Sequence, residues 1–522
     1  MNVTIESPWA ESIFRRLPEG IPVSLQAVLA TIVLGTIYSV VTKDRPVAGI
    51  PIASLDGKTP RKSWLWHGRE LVRLGDDKYS GGPYQVLTGT GPKIILPNRF
   101  ADEIKNNPQM FMHLAFKKDF FIEYPGFDGH RIGLENDWLI QTTVRTKLTQ
   151  SLNLITGDLV DETTASLQDV YGGVDDWETR SLREDVIEVV ARLSSRVFLG
   201  LPLCRNRRWL EITKSYTVDS FTISFIMRAA PWFMRPLAYW LNPMSARLRK
   251  AVRDARNLID PEVKRRLDIV DKAKAAGEKP PKMADTIGWM YDVANGANID
   301  YVAGQLSLSM AAIHTTTETT CAIIMDLCDH PEVVPQLREE VIRVIGEGGW
   351  AKTSLYKLKL MDSFIKEGQR VRPMGTTSMN RLVTEETTLS DGTVLPKGVR
   401  IMVATNFMDP ELYPEPEKFD AARFLKMRER EGEEHSWQLV TTTPAHMFFG
   451  HGQHACPGRF FAANEVKILL CHLLLKYDFR WAPGEKPVPM QMFETVASTH
   501  QDTKVQMRRR VPEIDLDTIE VK

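Results

Sequence analysis

The chain of 522 residues has few cysteines and no excess of charge of either sign. Its five cysteines are Cys204, Cys321, Cys328, Cys456 and Cys471, and no two of them form a C-x-x-C pair. An odd number without close spacing argues against a disulfide framework and structural zinc, and it fits a reducing compartment. Lysine plus arginine equals aspartate plus glutamate, at 66 each, so the net charge gives no reason to expect nucleic acid binding.

Linkers, repeats and abrupt changes of composition are also missing after about residue 60. Helical periodicity dominates residues 101–370, and short strands are expected near 84–97, 378–403 and 477–507. The sequence therefore predicts one mainly α domain with small β-sheets over residues 61–522, although length alone would suggest roughly two to four domains.

The stretch of residues 21–41 contains no charged side chain. About 20 apolar residues suffice to span a bilayer as a helix. We therefore expect a short lumenal leader at 1–20, a transmembrane anchor at 21–41 and a proline-containing hinge at 42–60; a signal peptide or a buried core helix is the alternative. More lysines and arginines follow this stretch than precede it, which predicts that the large C-terminal part is cytosolic, with the glycosylation sequon at Asn2 on the lumenal side.

A second apolar stretch, residues 221–241, mixes aromatic residues with Arg228 and Arg235. Such a mixture is typical of a bilayer interface, and ordinary packing of helices in the core is the alternative.

The most informative stretch is Phe449–Gly458, with the sequence FGHGQHACPG. A thiolate at Cys456 would be a soft anionic ligand, and the N-terminus of a helix that begins just after it would favour that negative charge. Gly450, Gly452 and Gly458 would permit tight backbone turns and the close approach of a flat cofactor. The alternative is a buried free cysteine in a turn.

The pattern F-x-x-G-x-H-x-C-x-G resembles the haem-binding loop of the cytochrome P450 superfamily. The longer run HACPGRFFA resembles fungal microsomal members, such as kaurene-oxidase-like and indole-diterpene-oxidase-like enzymes. The resemblance implies the cytochrome P450 fold and a haem b whose iron takes Cys456 as its axial ligand. The loop residues that it assigns to haem binding are Phe449, Gly450, Gly452, His454, Cys456 and Gly458. His454 stands where most members have an arginine, and either side chain could donate to a haem propionate.

Three charged residues upstream of the loop match a structural trio of the same family. Glu367 and Arg370 form an E-x-x-R motif, and Arg423 follows within a PEKFDAARF run. The resemblance implies that the three side chains pair and hold the scaffold behind the haem loop, with no catalytic role.

Further propionate partners are implied by position. Arg381 matches a place that often reaches a propionate, although a solvated arginine is the alternative. Trp138 matches the start of a family W-x-x-x-R pattern, but Thr142 replaces its arginine. Arg145 and Lys147 are the nearest basic residues that follow.

A long apolar helix is predicted over 305–327. Its Ala311, Ala312, Thr315 and Thr316 fit the family's oxygen-activation motif, in which Ala312 takes the place of a glycine close to the haem. The resemblance implies that Thr315 holds a water that delivers protons.

His314 replaces the usual acid of this motif. It could relay protons near neutral pH, or it could merely fill a packing position. A second register places Glu318 before Thr319 and Thr320, but it lacks the small residues upstream, so we favour Thr315. Threonines that bond back to helix carbonyls are the simplest alternative.

The resemblance implies a monooxygenase of the endoplasmic reticulum that acts on a terpenoid or a related hydrophobic secondary metabolite. Electrons would come from NADPH through cytochrome P450 reductase, with cytochrome b5 as a further partner. Residues 373–380, 493–499 and 311–316 are expected to line the pocket. A haem-thiolate isomerase or dehydratase without a reductase, and a haem sensor or carrier without turnover, are the alternatives.

Overall fold

The computed structural model describes residues 45–55, 60–79, 81–135, 137–484 and 487–521, together with Ala30, Val33 and Gly35. The expected leader at 1–20, and the expected anchor at 21–41 apart from those three positions, lie outside the described residues. Within the described ranges, no helix combines the length and the apolar character needed to cross a bilayer.

Helices make up most of the described chain. In order they are α1 (Pro60–Tyr79), α2 (Ala101–Ile104), α3 (Met112–Phe120), α4 (Asp128–Glu135), α5 (Asp137–Thr142), α6 (Leu152–Tyr171), α7 (Leu182–Leu199), α8 (Arg207–Ala229), α9 (Arg235–Trp240), α10 (Pro243–Ala275), α11 (Thr286–Ala294), α12 (Tyr301–Asp329), α13 (Val334–Gly348), α14 (Lys352–Lys357), α15 (Lys359–Val371), α16 (Arg423–Met427) and α17 (Arg459–Lys476). A π-helical segment, Thr143–Leu148, continues α5. The predicted mainly α chain with small β-sheets is confirmed.

The strands are short and form small sheets. They are β1 (Tyr84–Thr88), β2 (Gly91–Leu96), β3 (Met110–Phe111), β4 (Glu178–Ser181), β5 (Thr377–Val383), β6 (Thr387–Thr388), β7 (Val394–Leu395), β8 (Arg400–Ala404), β9 (Tyr477–Trp481), β10 (Gln491–Phe493), β11 (Val496–Ser498) and β12 (Lys504–Arg509). The largest sheet has the order β1-β2-β8-β5-β3, in which β2 and β8 are parallel and the other pairs antiparallel. β3 and β4 fall inside the region that we predicted as helical.

The central element is α12, which passes through the main hydrophobic core and packs against α4, α7 and α17. Its N-terminus is capped by Asp300, whose side chain accepts a hydrogen bond of 2.9 Å from the Ala303 amide. The helix ends before Pro331, since the residue that precedes a proline avoids the helical conformation. It is two residues longer at its C-terminus and four longer at its N-terminus than the predicted 305–327.

The described part of the expected hinge, residues 45–55, lies along the edge of the large sheet. The buried Gln85 side chain accepts from the Val47 amide at 2.9 Å and donates to the Val47 and Ile50 carbonyls at 2.8 and 2.6 Å. Ala53 continues the contact through a backbone bond to Gln85. This segment is therefore held by β1 over those residues.

Candidate active site

The Cys456 loop is held in shape by its own backbone. The Cys456 amide donates to the Phe449 carbonyl at 2.7 Å, which closes the loop. Gly450 and Gly452 have φ values of +72° and +73°, and a Cβ at Gly452 would come within 2.5 Å of the Lys105 backbone. These two positions therefore require glycine, as expected.

The thiol of Cys456 faces the first turn of α17. Burial raises the pKa of the Cys456 thiol, while the backbone N–H groups of Gly458 and Arg459 act in the opposite direction. N–H groups at a helix N-terminus favour a thiolate over a thiol. The local fold thus offers a sulfur ligand from one wall of a cavity.

That cavity has a volume of about 280 Å³ and lies between α12 and the cysteine loop. From α12 it is lined by Leu308, Ala311, Ala312, Thr315, Thr316 and Thr319. From the loop and α17 it is lined by Phe448, Phe449, Cys456, Pro457, Gly458 and Phe461. Apart from the sulfur and the threonine hydroxyls, these groups are apolar or backbone. The cavity therefore suits a flat, largely apolar cofactor whose metal binds a thiolate ligand.

Thr315 and Thr319 both reach the cavity from one face of α12. The Thr315 hydroxyl donates to the Ala311 and Ala312 carbonyls at 2.8 and 3.2 Å, and the Thr319 hydroxyl donates to the Thr315 carbonyl at 2.9 Å. In both alignments of the oxygen-activation motif, the threonine hydroxyl therefore donates to a carbonyl of the preceding helical turn. Each hydroxyl keeps lone pairs that can accept from a water in the cavity.

His314 points away from this cavity. Its Nε2 atom lies 3.1 Å from the Lys214 carbonyl of α8, and burial lowers the pKa of His314 to about 4. The imidazole is therefore neutral near pH 7 and ties α12 to α8. This geometry fits the packing alternative and does not fit the proton relay.

Glu318 is also committed to structure. Its carboxylate pairs with Arg183 of α7 at 2.9 Å and accepts from the Thr499 amide at 2.6 Å. Glu318, the acid of the alternative motif alignment, thus joins α12 to α7 and to the segment that follows β11. Arg183 as its partner was not foreseen.

The Glu367, Arg370 and Arg423 side chains come together in a buried cluster. Arg370 binds Glu367 through two bonds of 2.8 and 2.9 Å, and Arg423 reaches the same carboxylate at 3.0 Å. The remaining Arg370 N–H groups donate to the Phe407 and Pro416 carbonyls at 2.9 and 2.7 Å. Glu367 and Arg370 are fully buried, and every charge in the cluster has a partner.

Arg381 is buried on β5 without such compensation. It donates from Nη1 to the Asn380 carbonyl at 2.9 Å, but its Nε and Nη2 have no acceptor among the described residues. Burial lowers the pKa of Arg381 to about 10, so the guanidinium stays charged near pH 7. A buried cation with free donors indicates a place for an anionic group.

The two basic residues that follow Trp138 make contacts in different places. Arg145 donates to the Gln453 carbonyl of the cysteine loop at 3.0 Å, next to His454, whereas Lys147 forms an exposed ion pair of 3.0 Å with Asp292 of α11. The structure thus brings Arg145 to the loop and does not bring Lys147 there. The prediction for Lys147 failed because Asp292, distant in sequence, holds its ammonium group.

Only some of the segments that we expected to line the pocket do so. Ala311, Ala312, Thr315 and Thr316 line the cavity, and of residues 373–380 only Met374 does so among the described residues. Residues 493–499 pack behind that segment, since Val496 bridges Gly375 and Thr495 contacts Thr377 at 3.1 Å. They do not line the cavity in this structure.

Glu465 of α17 was missed by sequence reasoning. It is fully buried and accepts from the Ser194 hydroxyl at 2.7 Å, and burial raises its pKa to about 8 against the opposing hydrogen bonds from Ser194 and Thr316. The sequence feature that could have identified it is a single acidic residue among the apolar positions of α17. It connects the helix after Cys456 to the helix that carries the threonines.

Known proteins similar to this chain belong to one family. The family model for cytochrome P450 matches residues 141–507. The chain is 43% identical to cytochrome P450 monooxygenase bsc2 of Alternaria brassicicola, over 92% of this chain and 92% of that one. It is 39% identical to cytochrome P450 monooxygenase adrA of Penicillium rubens, over 94% and 97%. It is 38% identical to cytochrome P450 monooxygenase TRI1 of Fusarium sporotrichioides, over 85% and 82%.

Proposed function

The chain belongs to the cytochrome P450 family, and we propose that it is a microsomal enzyme that oxidises an apolar fungal secondary metabolite with electrons from NADPH. Family membership makes it a haem b monooxygenase, and its relatives above are fungal monooxygenases. The observation that carries the proposal is the apolar cavity closed on one side by Cys456 and on the other by the threonine face of α12.

The residues present fit haem b. A flat macrocycle with apolar faces and anionic propionates matches an apolar cavity with one sulfur ligand, together with a buried guanidinium whose Nε and Nη2 have no acceptor among the described residues. Cys456 would ligate the iron, with Phe449 and the loop glycines against the macrocycle and Ala312 giving room beside it. Arg381, Arg145 and His454 would hold the propionates. When bound, the haem supplies the activation of oxygen, and the protein supplies orientation and access.

Thr315 is the residue that we assign to proton handling. Its hydroxyl faces the cavity and can hold a water through its free lone pairs while it donates to the Ala311 carbonyl. Thr316 lies on the inner side of the same turn, beside Glu465. The walls around both groups are mostly apolar, so the threonine hydroxyls are among the few polar groups that can position a water there.

A terpenoid-like substrate is supported by the resemblance of the HACPGRFFA run to terpenoid oxidases and by the apolar walls. Such a substrate has many C–H bonds and few polar handles, and it would be held mainly by shape and apolar contact. Insertion of one oxygen would add a hydroxyl or an epoxide.

We also propose a single-pass anchor in the endoplasmic reticulum, with the catalytic domain in the cytosol. The uncharged stretch 21–41 and the exposed apolar side chains of the α9 region support it. The exposed set is Trp232, Phe233, Met234, Leu237, Trp240 and Leu241. Removal of residues 1–41 should reduce the microsomal fraction of the protein; an unchanged distribution would contradict the anchor.

The decisive experiment is expression of the full chain with NADPH–cytochrome P450 reductase, with and without cytochrome b5. We expect the reduced-CO band of thiolate-ligated haem, and NADPH-dependent products one oxygen heavier than candidate terpenoids. Cys456→Ser is the control and should lose both. Product without NADPH would instead support an isomerase or dehydratase, and haem binding without NADPH consumption for any candidate would support a carrier.

A further inference from the structure

A second cavity, of about 370 Å³, adjoins the cysteine loop at Ala455 and Pro457. Most of its wall is apolar, with contributions from Met112, Phe116, Phe120, Phe221 and Met310. It shares Ile140, Ala311 and Pro457 with the cavity that we assign to haem, and His454, which we assign to a haem propionate, also lines it. A molecule bound here would therefore lie directly beside the haem.

His130 of α4 also lines this cavity, and neither of its ring nitrogens has a hydrogen-bond partner among the described residues. The residue is 3% exposed, and burial lowers its pKa to about 3, so the imidazole is neutral. A neutral imidazole has one N–H donor and one nitrogen acceptor. Buried polar groups are nearly always paired, and leaving both of these unpaired costs free energy that a ligand could recover.

The described neighbours of His130 do not hydrogen-bond its ring nitrogens. Its ring lies 4.6 Å from the centroid of Phe120, 5.5 Å from that of Phe127 and 5.8 Å from that of Phe221. The nearby Tyr216 hydroxyl already donates to the Gly126 carbonyl at 2.9 Å and accepts from the Gly129 amide. The imidazole is therefore a polar group within an aromatic enclosure.

The fold holds His130 firmly at this wall. A Cβ at Gly129 would come within 3.1 Å of Leu306 and Ser307, and a Cβ at Gly133 would come within 2.8 Å of the Ser307 hydroxyl. The two glycines let α4 press directly onto α12, and this contact fixes the position of the imidazole relative to the cavity.

We propose that His130 is a specificity-determining residue that hydrogen-bonds a hydroxyl or carbonyl oxygen on an otherwise apolar polycyclic substrate. This inference rests on the proposed function, because it names a group that the substrate already carries before oxidation. The reaction that supplies the substrate must then leave one oxygen on the skeleton.

Access to the nitrogens requires a small movement of the wall. Phe120 and Phe221 both flank the imidazole and line the cavity, and their rings pack against each other with centroids 5.0 Å apart. Rotation of either phenyl side chain would uncover a ring nitrogen to a ligand. A ring alcohol can use the donor or the acceptor, whereas a hydrocarbon leaves both unpaired.

The test uses the full-length holoenzyme without reductase and measures binding by the shift of the Soret band. The probes are androstane, androstanol and androstanone, which share a skeleton and differ in one oxygen. Wild type should bind the two oxygenated probes about tenfold more tightly than androstane. His130→Phe, which preserves aromatic packing, should abolish this preference and leave the androstane affinity unchanged.

His130→Gln is the matched control, since it keeps a donor and an acceptor and should retain most of the preference. The reduced-CO spectrum of each variant verifies that it folds and binds haem. Equal affinity of the wild type for all three probes, no shift with any of them, or an equal loss of all three affinities in His130→Phe would overturn the inference. Because no turnover is needed, these results are independent of the NADPH-dependent oxidation on which the proposed function depends.

Discussion

Two buried polar regions of the molecule differ in how completely their polar groups are hydrogen-bonded. In the first region, Glu367, Arg370 and Arg423 satisfy one another and nearby carbonyls completely. At the second cavity, His130 is equally buried but has no partner within the described residues. A group that the protein satisfies itself contributes to the scaffold, whereas a group left unsatisfied at a cavity wall is available to a ligand.

The largest effect should follow from Arg370→Ala. This change leaves Glu367 with one cation fewer and strips the Phe407 and Pro416 carbonyls of their donor. Removal of one partner from a buried ion pair costs about 3–5 kcal/mol. We expect protein without bound haem, measured as loss of Soret absorbance relative to protein absorbance.

Lys426→Ala is the control for that change, because Lys426 pairs with Asp420 at 2.8 Å while 65% of its side chain is exposed. Exposed pairs contribute about 1 kcal/mol or less, so haem content should be normal. Normal haem content in Arg370→Ala would show that the cluster does not support the loop.

On the cavity side, Thr315→Ala should change chemistry more than stability. The side chain loses only a back-bond to the helix, but the cavity loses the hydroxyl that holds the proton-delivering water. General acid–base groups contribute about a hundredfold or more, so the ratio of product to consumed NADPH should fall by at least about tenfold.

Thr319→Ala is the comparison one turn away, since Thr319 makes a similar back-bond and lines the same cavity. It should retain more coupling than Thr315→Ala. The reverse order would assign the proton role to the second register, beside Glu318.

The same contrast explains what could be predicted from the sequence. The cysteine loop is specified by neighbours in the chain, because Gly450, Gly452 and the start of α17 set its shape locally. The Glu367–Arg370 pair lies within one helical turn and could be inferred from its motif and order. The family assignment followed from these local patterns and is confirmed by the comparisons.

The remaining features depend on partners that are distant in sequence. Glu318 is fixed by Arg183, Lys147 is drawn to Asp292, and no spacing rule connects either pair. His130 lies in a short helix without a motif, and its importance appears only when four aromatic rings and a cavity surround it. Segment 493–499 was expected in the pocket from position alone and instead packs behind it.

Glu465→Gln should remove a pH dependence of the free energy of unfolding that originates in α17. Burial raises the pKa of Glu465 from 4.5 to about 8, so between those values the native state holds a proton that the unfolded state has lost. Wild-type stability should therefore fall as pH rises through that window and level off above it. The glutamine variant should lack this contribution, so its free energy of unfolding, measured with urea, should differ from the wild-type trend by about 3–4 kcal/mol between about pH 5 and about pH 8.

Ser194→Ala tests whether the hydrogen bond to Glu465 limits that shift. Without the 2.7 Å bond from Ser194, the ionised form loses support, so the fall in stability should extend to higher pH than in wild type. An identical pH profile for wild type and Glu465→Gln would mean that Glu465 is ionised in the native protein.

The smallest effect should come from His314, which occupies the motif position of the usual acid but bonds the Lys214 carbonyl of α8. Loss of that one hydrogen bond in His314→Phe should cost about 1 kcal/mol. Because burial lowers its pKa to about 4, the imidazole carries no exchangeable charge near pH 7, so the ratio of product to NADPH should stay at the wild-type value. A loss of coupling as large as that in Thr315→Ala would instead support a proton relay through His314. Retained coupling would mean that α12 delivers protons without an ionisable side chain at position 314, through the hydroxyl of Thr315 and the water that it holds.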